Sequence, residues 1–166
     1  GIAMQMEHKD PATRFLKRDS IMFANVDFIM NRLDRTGVKV YIYGHSLHLN
    51  PISTYPAAHC LPLGYYLNAS YSDNYSVYLL TIGSGENRTE SENYVQTITP
   101  LKIAPYGSIE YLLSRCNYSQ FYLSVTPEFN RLFLTRVIGL NKIPKEFTFT
   151  NIFQRYKGIF FIKHDE

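Results

Sequence analysis

Residues 64–99, GYYLNASYSDNYSVYLLTIGSGENRTESENYVQTIT, decide how the rest of the chain is read. Tyrosines crowd this stretch, and Asn-x-Ser/Thr sequons begin at Asn68, Asn74 and Asn87. Its acids, Asp73, Glu86, Glu90 and Glu92, stand against one base, Arg88. Aromatic side chains suit a pleated, half-buried surface, so the stretch predicts strands at 63–69, 75–83 and 94–99. Gly83-Ser84-Gly85 and the polar residues to Asn93 form the connection. The stretch therefore reads as a β-hairpin presenting an aromatic, mildly acidic face.

Working outward towards the N-terminus, residues 50–62 contain Pro51, Pro56 and Pro62 and read as a loop. Val38, Val40 and Ile42 alternate with Lys39, Tyr41 and Tyr43, the period of a half-buried strand. Asp19-Ser20 is placed to cap a helix with Met22, Val26, Ile29, Met30 and Leu33 on its apolar face, ended by Gly37. Residues 1–9 read as an expression scar or cut linker. Towards the C-terminus, Ile109, Leu112, Leu113 and Cys116 follow a possible Ser108 cap at helical spacing. Strands are expected at 120–126, 131–139, 147–149 and 156–163, the last with a bulge at Gly158. About eight short strands and one or two short helices describe an all-β fold, a two-sheet β-sandwich. Residues 10–166 form one expected domain, long enough for a sizeable core.

Composition narrows the function. A net charge of +3 with no Lys/Arg cluster does not point to nucleic acid. No apolar run approaches the roughly 20 residues of a membrane span. Cys60 and Cys116 allow one disulfide, which would stabilise by about 4 kcal/mol in the chain-entropy model. With glycosylation candidates at Asn68, Asn74, Asn87 and Asn117, the pair favours a secreted, oxidising setting.

Motifs for catalysis are absent from this reading. His45-x-x-His48 with His59 and Cys60 is the best metal candidate, but on one strand the first two point to opposite faces. No Ser lies in a Gly-x-Ser-x-Gly elbow, and Gly83-Ser84-Gly85 lacks the Lys-Ser/Thr ending of a phosphate loop. Glu86, Glu90 and Glu92 lack the ligand spacing of a calcium loop. The chain is thus expected to be no enzyme and to use no cofactor or metal. Its charge is segregated instead. Residues 40–101 hold four acids, one base and nine of the 14 tyrosines, while 131–166 carry seven bases and three acids. An acidic, Tyr-rich face suits a basic protein partner.

Pro11-Ala-Thr-Arg-Phe-Leu16, Tyr55-Pro-Ala-Ala-His-Cys60 and Ser114-Arg-Cys-Asn-Tyr-Ser119 resemble the SECRET domain family. These are the C-terminal chemokine-binding domains of poxvirus tumour-necrosis-factor-receptor decoys. The resemblance implies a secreted β-sandwich that sequesters host chemokines for immune evasion, without enzymatic activity. It also implies fusion to an N-terminal cysteine-rich TNF-binding region. Tyr71, Asp73, Asn74, Tyr75, Glu86, Glu90 and Glu92 become the partner-binding residues, with a conflict at Asn74 if its sequon carries a glycan. The alternatives are a related poxvirus β-sandwich binding a surface glycoprotein such as MHC class I, and a secreted zinc hydrolase using His45, His48 and His59.

Overall fold

A computed structural model of the chain describes residues 11–33, 37–52, 61–90, 96–138 and 146–164. The fold is mixed α/β, so the all-β sandwich expectation is overturned. The chain divides into two compact units, Gly1–Val77 and Tyr78–Glu166.

The first unit is helical. Helix α1 spans Pro11–Arg32. It begins with a proline, whose fixed φ and missing N–H suit the first helical position. Asp19 is therefore not a cap but an interior helical residue, 1% exposed. Residues 38–44 follow with no strand pairing among the described residues, and Val38, Val40 and Ile42 are exposed. The period-two pattern is present, yet a strand forms only where another backbone satisfies its N–H and C=O groups. Helix α2, Ser46–Leu49, is capped by His45, whose Nδ1 accepts from the Leu47 N–H at 3.2 Å.

Helix α3, Leu63–Tyr71, occupies the segment expected as the first strand of the hairpin. Leu63, Tyr66 and Leu67 lie at i, i+3 and i+4, and burying Leu63 and Leu67 outweighs the strand preference of the tyrosines. Phe23 of α1 stacks on Tyr66 of α3 with ring centroids 5.5 Å apart. Gly64 lets α3 meet the chain after α2. A Cβ there would stand 2.2 Å from the Leu49 carbonyl oxygen. A 3₁₀ turn at Ser72–Asn74 ends the helix.

The second unit contains the sheets. Strands β1 (Tyr78–Ser84), β2 (Glu86–Glu90), β3 (Gln96–Pro100), β4 (Gln120–Ser124), β5 (Leu132–Arg136), β6 (Phe147–Asn151) and β7 (Gly158–His164) pair in three groups. A three-stranded sheet has the order β1-β7-β4, with β1 parallel and β4 antiparallel to β7. The pairs β2–β3 and β5–β6 are antiparallel two-stranded ribbons. Helix α4, Ile109–Ser114, starts at the expected Ser108 cap, whose hydroxyl accepts from the Tyr111 N–H at 3.1 Å. It packs on β1, β5 and β7. The core joins Ile109 and Leu113 of α4 to Leu79, Ile159 and Phe161 of the sheet. A short helix α5, Ile152–Arg155, precedes β7.

Gly158 is not a bulge. It pairs in register with Tyr78 and Ser124, and the ring of Tyr122 crosses it so closely that a Cβ would lie 2.4 Å from a ring carbon. Glycine is needed there for close approach rather than for a break in the ladder.

Candidate active site

The chemistry of the first unit converges on the turn His45–His48. Both oxygens of Asp19 lie 2.9 Å from His48 Nδ1, and Asp19 Oδ2 also accepts the Leu63 N–H at 2.9 Å. Three elements thus meet at one carboxylate. Asp19 is 1% exposed and His48 is 15% exposed in its side chain, so the acid is sealed while the imidazole still reaches solvent.

This arrangement sets the tautomers. With Asp19 ionised, His48 donates from Nδ1, which leaves Nε2 as its basic nitrogen. His45 accepts at Nδ1 from the Leu47 N–H, so its neutral form carries the proton on Nε2. One turn therefore holds a proton acceptor and a proton donor, the pairing that acid–base chemistry needs.

The end of the turn is clamped from behind. Tyr75 donates its hydroxyl to the Leu49 carbonyl at 2.7 Å, and burial pushes its phenol up to about 12. Asn50, 2% exposed, turns the following residues by accepting the Ile52 N–H at 3.0 Å.

A second buried polar group lies in the other unit. Glu110 of α4 accepts at Oε1 from the Thr81 hydroxyl at 2.8 Å and the Arg136 N–H at 3.0 Å. Burial raises its carboxyl, while those hydrogen bonds and the Arg136 charge act in the opposite direction. Arg136 Nη2 donates to the carbonyls of Gly83 at 3.1 Å and Lys102 at 2.9 Å, and Nη1 is ion-paired with Glu146. Burial lowers the guanidinium and Glu110 opposes that shift. Its ring partner is Phe147, 4.7 Å from the guanidinium carbon. The group ties strand ends together; Glu110 and Arg136 are buried, while Glu146 keeps 15% of its side chain exposed.

The residues expected to bind a partner are scattered. Tyr71 donates its hydroxyl to Asp27 at 3.0 Å, and Tyr75 points at Leu49. Both phenols serve the first unit internally. Asp73 and Asn74 are exposed in the 3₁₀ turn. Glu86 is exposed at the start of β2 in the second unit, Glu90 ends that strand, and Glu92 lies outside the described residues. The single aromatic, acidic hairpin is therefore replaced by a helix in one unit and a ribbon in the other. Asn68, Asn74 and Asn117 are exposed, and Asn87 is half-buried. Cys116 is an exposed free thiol, and Cys60 and His59 lie outside the described residues. Among the described residues no group of three or more His, Cys, Asp or Glu could hold a metal ion. No described helix is long and apolar enough to cross a membrane.

The family profile of erythromycin esterases matches residues 3–164. The chain belongs to the erythromycin esterase family. No curated protein matches the chain. Among solved structures, a Bacillus cereus protein is similar at TM-score 0.79 and 16% identity, over 93% of this chain and 39% of that one. A succinoglycan biosynthesis protein is similar at TM-score 0.78 and 16% identity, over 97% and 41%. A histidine-to-asparagine mutant of erythromycin esterase EreC in its open conformation gives TM-score 0.64 and 16% identity, over 91% and 38%. The chain thus spans about two fifths of the length of these structures.

Membership in an esterase family overturns the SECRET-domain resemblance and what it implied. Chemokine capture, the viral decoy role, the MHC class I alternative and the fused TNF-binding region lose their basis. The expectation that the chain belongs to no enzyme is overturned with them. The motifs behind that resemblance were short: 11–16 lie inside helix α1, 114–119 run from the end of α4 to β4, and 55–60 lie outside the described residues.

The sequence reading missed Asp19 as a site residue. It looked like a helix cap, and its partners His48 and Leu63 are distant in sequence. His45-x-x-His48 stands out as a motif, but the period-two pattern before it predicts a strand, on which the two side chains diverge. The structure instead makes His45 the N-cap and His48 a residue of the short helix α2. Pro51 just beyond Leu49 was the available signal for a short helix.

Proposed function

We propose that this chain carries the acid–base residues of an ester hydrolase, with His48 moving the proton and Asp19 orienting it. The observation behind this reading is a sealed carboxylate on Nδ1 of a histidine that still reaches solvent. His48 Nε2 takes a proton from water as the water oxygen bonds to the ester carbonyl. It then gives that proton to the departing alkoxide as the carbon–oxygen ester bond breaks. The products are a carboxylic acid and an alcohol, and His48 returns to its starting state. Asp19 stabilises the imidazolium between the two steps and keeps Nε2 as the reacting nitrogen. His45, with its proton on Nε2, supplies a donor from the same turn.

Family membership supports ester hydrolysis as the reaction class. The test uses the full chain with p-nitrophenyl acetate, and with erythromycin followed by mass for the gain of one water. The wild-type chain should exceed buffer alone. His48→Gln should lower kcat by about 10²- to 10⁴-fold, the usual contribution of a positioned acid–base group. A wild-type rate equal to buffer, or a rate that His48→Gln leaves untouched, would overturn the assignment.

A further inference from the structure

We infer that the second unit carries a separate binding site for a small anion with a flat apolar body, such as an aryl carboxylate or aryl phosphate. The site is a groove of about 470 Å³ between α4, the loop at Tyr106-Gly107 and the start of β5. Small-molecule pockets commonly occupy about 300–1,000 Å³. Its walls include Tyr106, Tyr111 and Leu132, its floor Phe133, and its charges Arg115 and Arg131.

Local structure brings these residues together. Gly107 has φ +79°, a turn that L side chains rarely adopt, and it delivers the chain to Ser108 at the start of α4. A parallel bridge between Ser108 and Leu134 ties that loop to β5. Tyr111 and Arg115 stand one helical turn apart and share a face of α4. The Tyr106 and Tyr111 rings lie 5.2 Å apart at 55°. Arg131 holds its guanidinium 4.7 Å from the Phe133 ring centroid, so its charge sits over the apolar floor. Phe133 is 6% exposed, whereas Leu132 is 66% and Tyr106 87% exposed. Apolar surface is therefore left open around two cations.

The charges distinguish this groove from an ordinary solvated face. Arg136, in the same unit, has two carbonyls and Glu146 as partners. Among the described residues Arg115 and Arg131 have no acidic partner. Glu128, near Arg131 in sequence, has its carboxyl lowered chiefly by a hydrogen bond from Thr126. Two guanidinium forks match a carboxylate or phosphate, and the tyrosine and phenylalanine rings match a planar body. Carboxylate and phosphate share this chemistry, and the experiment separates them.

The full chain is titrated with 1-naphthaleneacetate, 1-naphthyl phosphate and neutral 1-naphthaleneethanol, reading energy transfer from tyrosine to naphthalene. Either anion should bind at least about tenfold more tightly than the alcohol, as charge-assisted hydrogen bonds require, and salt should weaken it. The tighter anion identifies the source. The Arg115→Gln/Arg131→Gln double variant removes both charges while leaving polar side chains and should bind anion and alcohol alike. Arg115→Lys/Arg131→Lys should fall between, because charge remains and the fork is lost. Equal binding of anion and alcohol by the wild-type chain, no binding of either anion, or affinities unchanged in the double variant would overturn the site. If the double variant does not fold, the wild-type comparison and its salt dependence decide alone.

Discussion

Each unit buries a carboxylate, and the two environments lead to different chemistry. Asp19 is 1% exposed and Glu110 is 0% exposed, so desolvation acts on both. Asp19 meets one backbone N–H and a histidine that touches solvent. Glu110 meets a hydroxyl and a backbone N–H, with Arg136 nearby and its own side chain out of contact with solvent. The same functional group thus orients a proton carrier in the first unit and ties β1 and β5 to α4 in the second. Burial alone does not mark a site; the neighbour's ability to exchange protons with solvent does.

The largest expected effect tests the tying role. Arg136→Met should destabilise the fold by about 3–5 kcal/mol, because Glu146 and Glu110 lose a cation and two carbonyls lose a donor. Urea denaturation measures it. A loss below about 1 kcal/mol would mean that water already satisfies these groups, and the contrast with Asp19 would weaken.

Asp19→Asn should cost less in stability, about 1–3 kcal/mol, because the amide oxygen can still accept the Leu63 N–H. Its main effect is on the histidine. The amide nitrogen would donate to His48 Nδ1 and move the ring proton to Nε2, removing the base. Nitrogen NMR of His48 should show the exchanged tautomer, and hydrolysis should fall as it does in His48→Gln. An unchanged tautomer would make Asp19 a packing residue like Glu110.

The smallest effect is a pH slope from Glu110. Burial raises its carboxyl in the fold, so its contribution to stability is fully present below the ordinary glutamate value of about 4.3. That contribution is lost as pH rises through the higher folded value. Glu110→Gln removes this titration, so its melting temperature relative to wild type should improve as pH rises from the ordinary glutamate value through the higher folded one, and level off beyond it. A difference flat with pH would show that the hydrogen bonds to Oε1 cancel the desolvation.

How much could be read in advance follows from where the information lay. Most of the second unit is legible because Ser108 caps α4 locally and the strand patterns repeat at period two, but β2 forms within 83–93, which reads as a connection. Thus 120–126, 131–139 and 156–163 contain β4, β5 and most of β7. In the first unit the expected helix through Met22, Val26, Ile29 and Met30 lies within α1, whereas tyrosines and alternation wrongly favour strands at 38–43 and 63–69. Residues 38–43 have no strand pairing among the described residues, and 63–69 bury leucines at helical spacing instead. Of the candidate site, the histidine pair stood out as a motif, whereas Asp19 carried no local sign of its role.

The sequence by itself determined the short-range features: the Ser108 cap, most strand periods of the second unit and the spacing of His45 and His48. Only the tertiary structure decided which carboxylate meets which partner. Asp19 reaches His48 across 29 residues, and Glu110 reaches Arg136 across 26. Caps and periods are set by neighbours along the chain. Long-range pairing depends on which backbones and apolar faces are buried together, and no single segment contains that information.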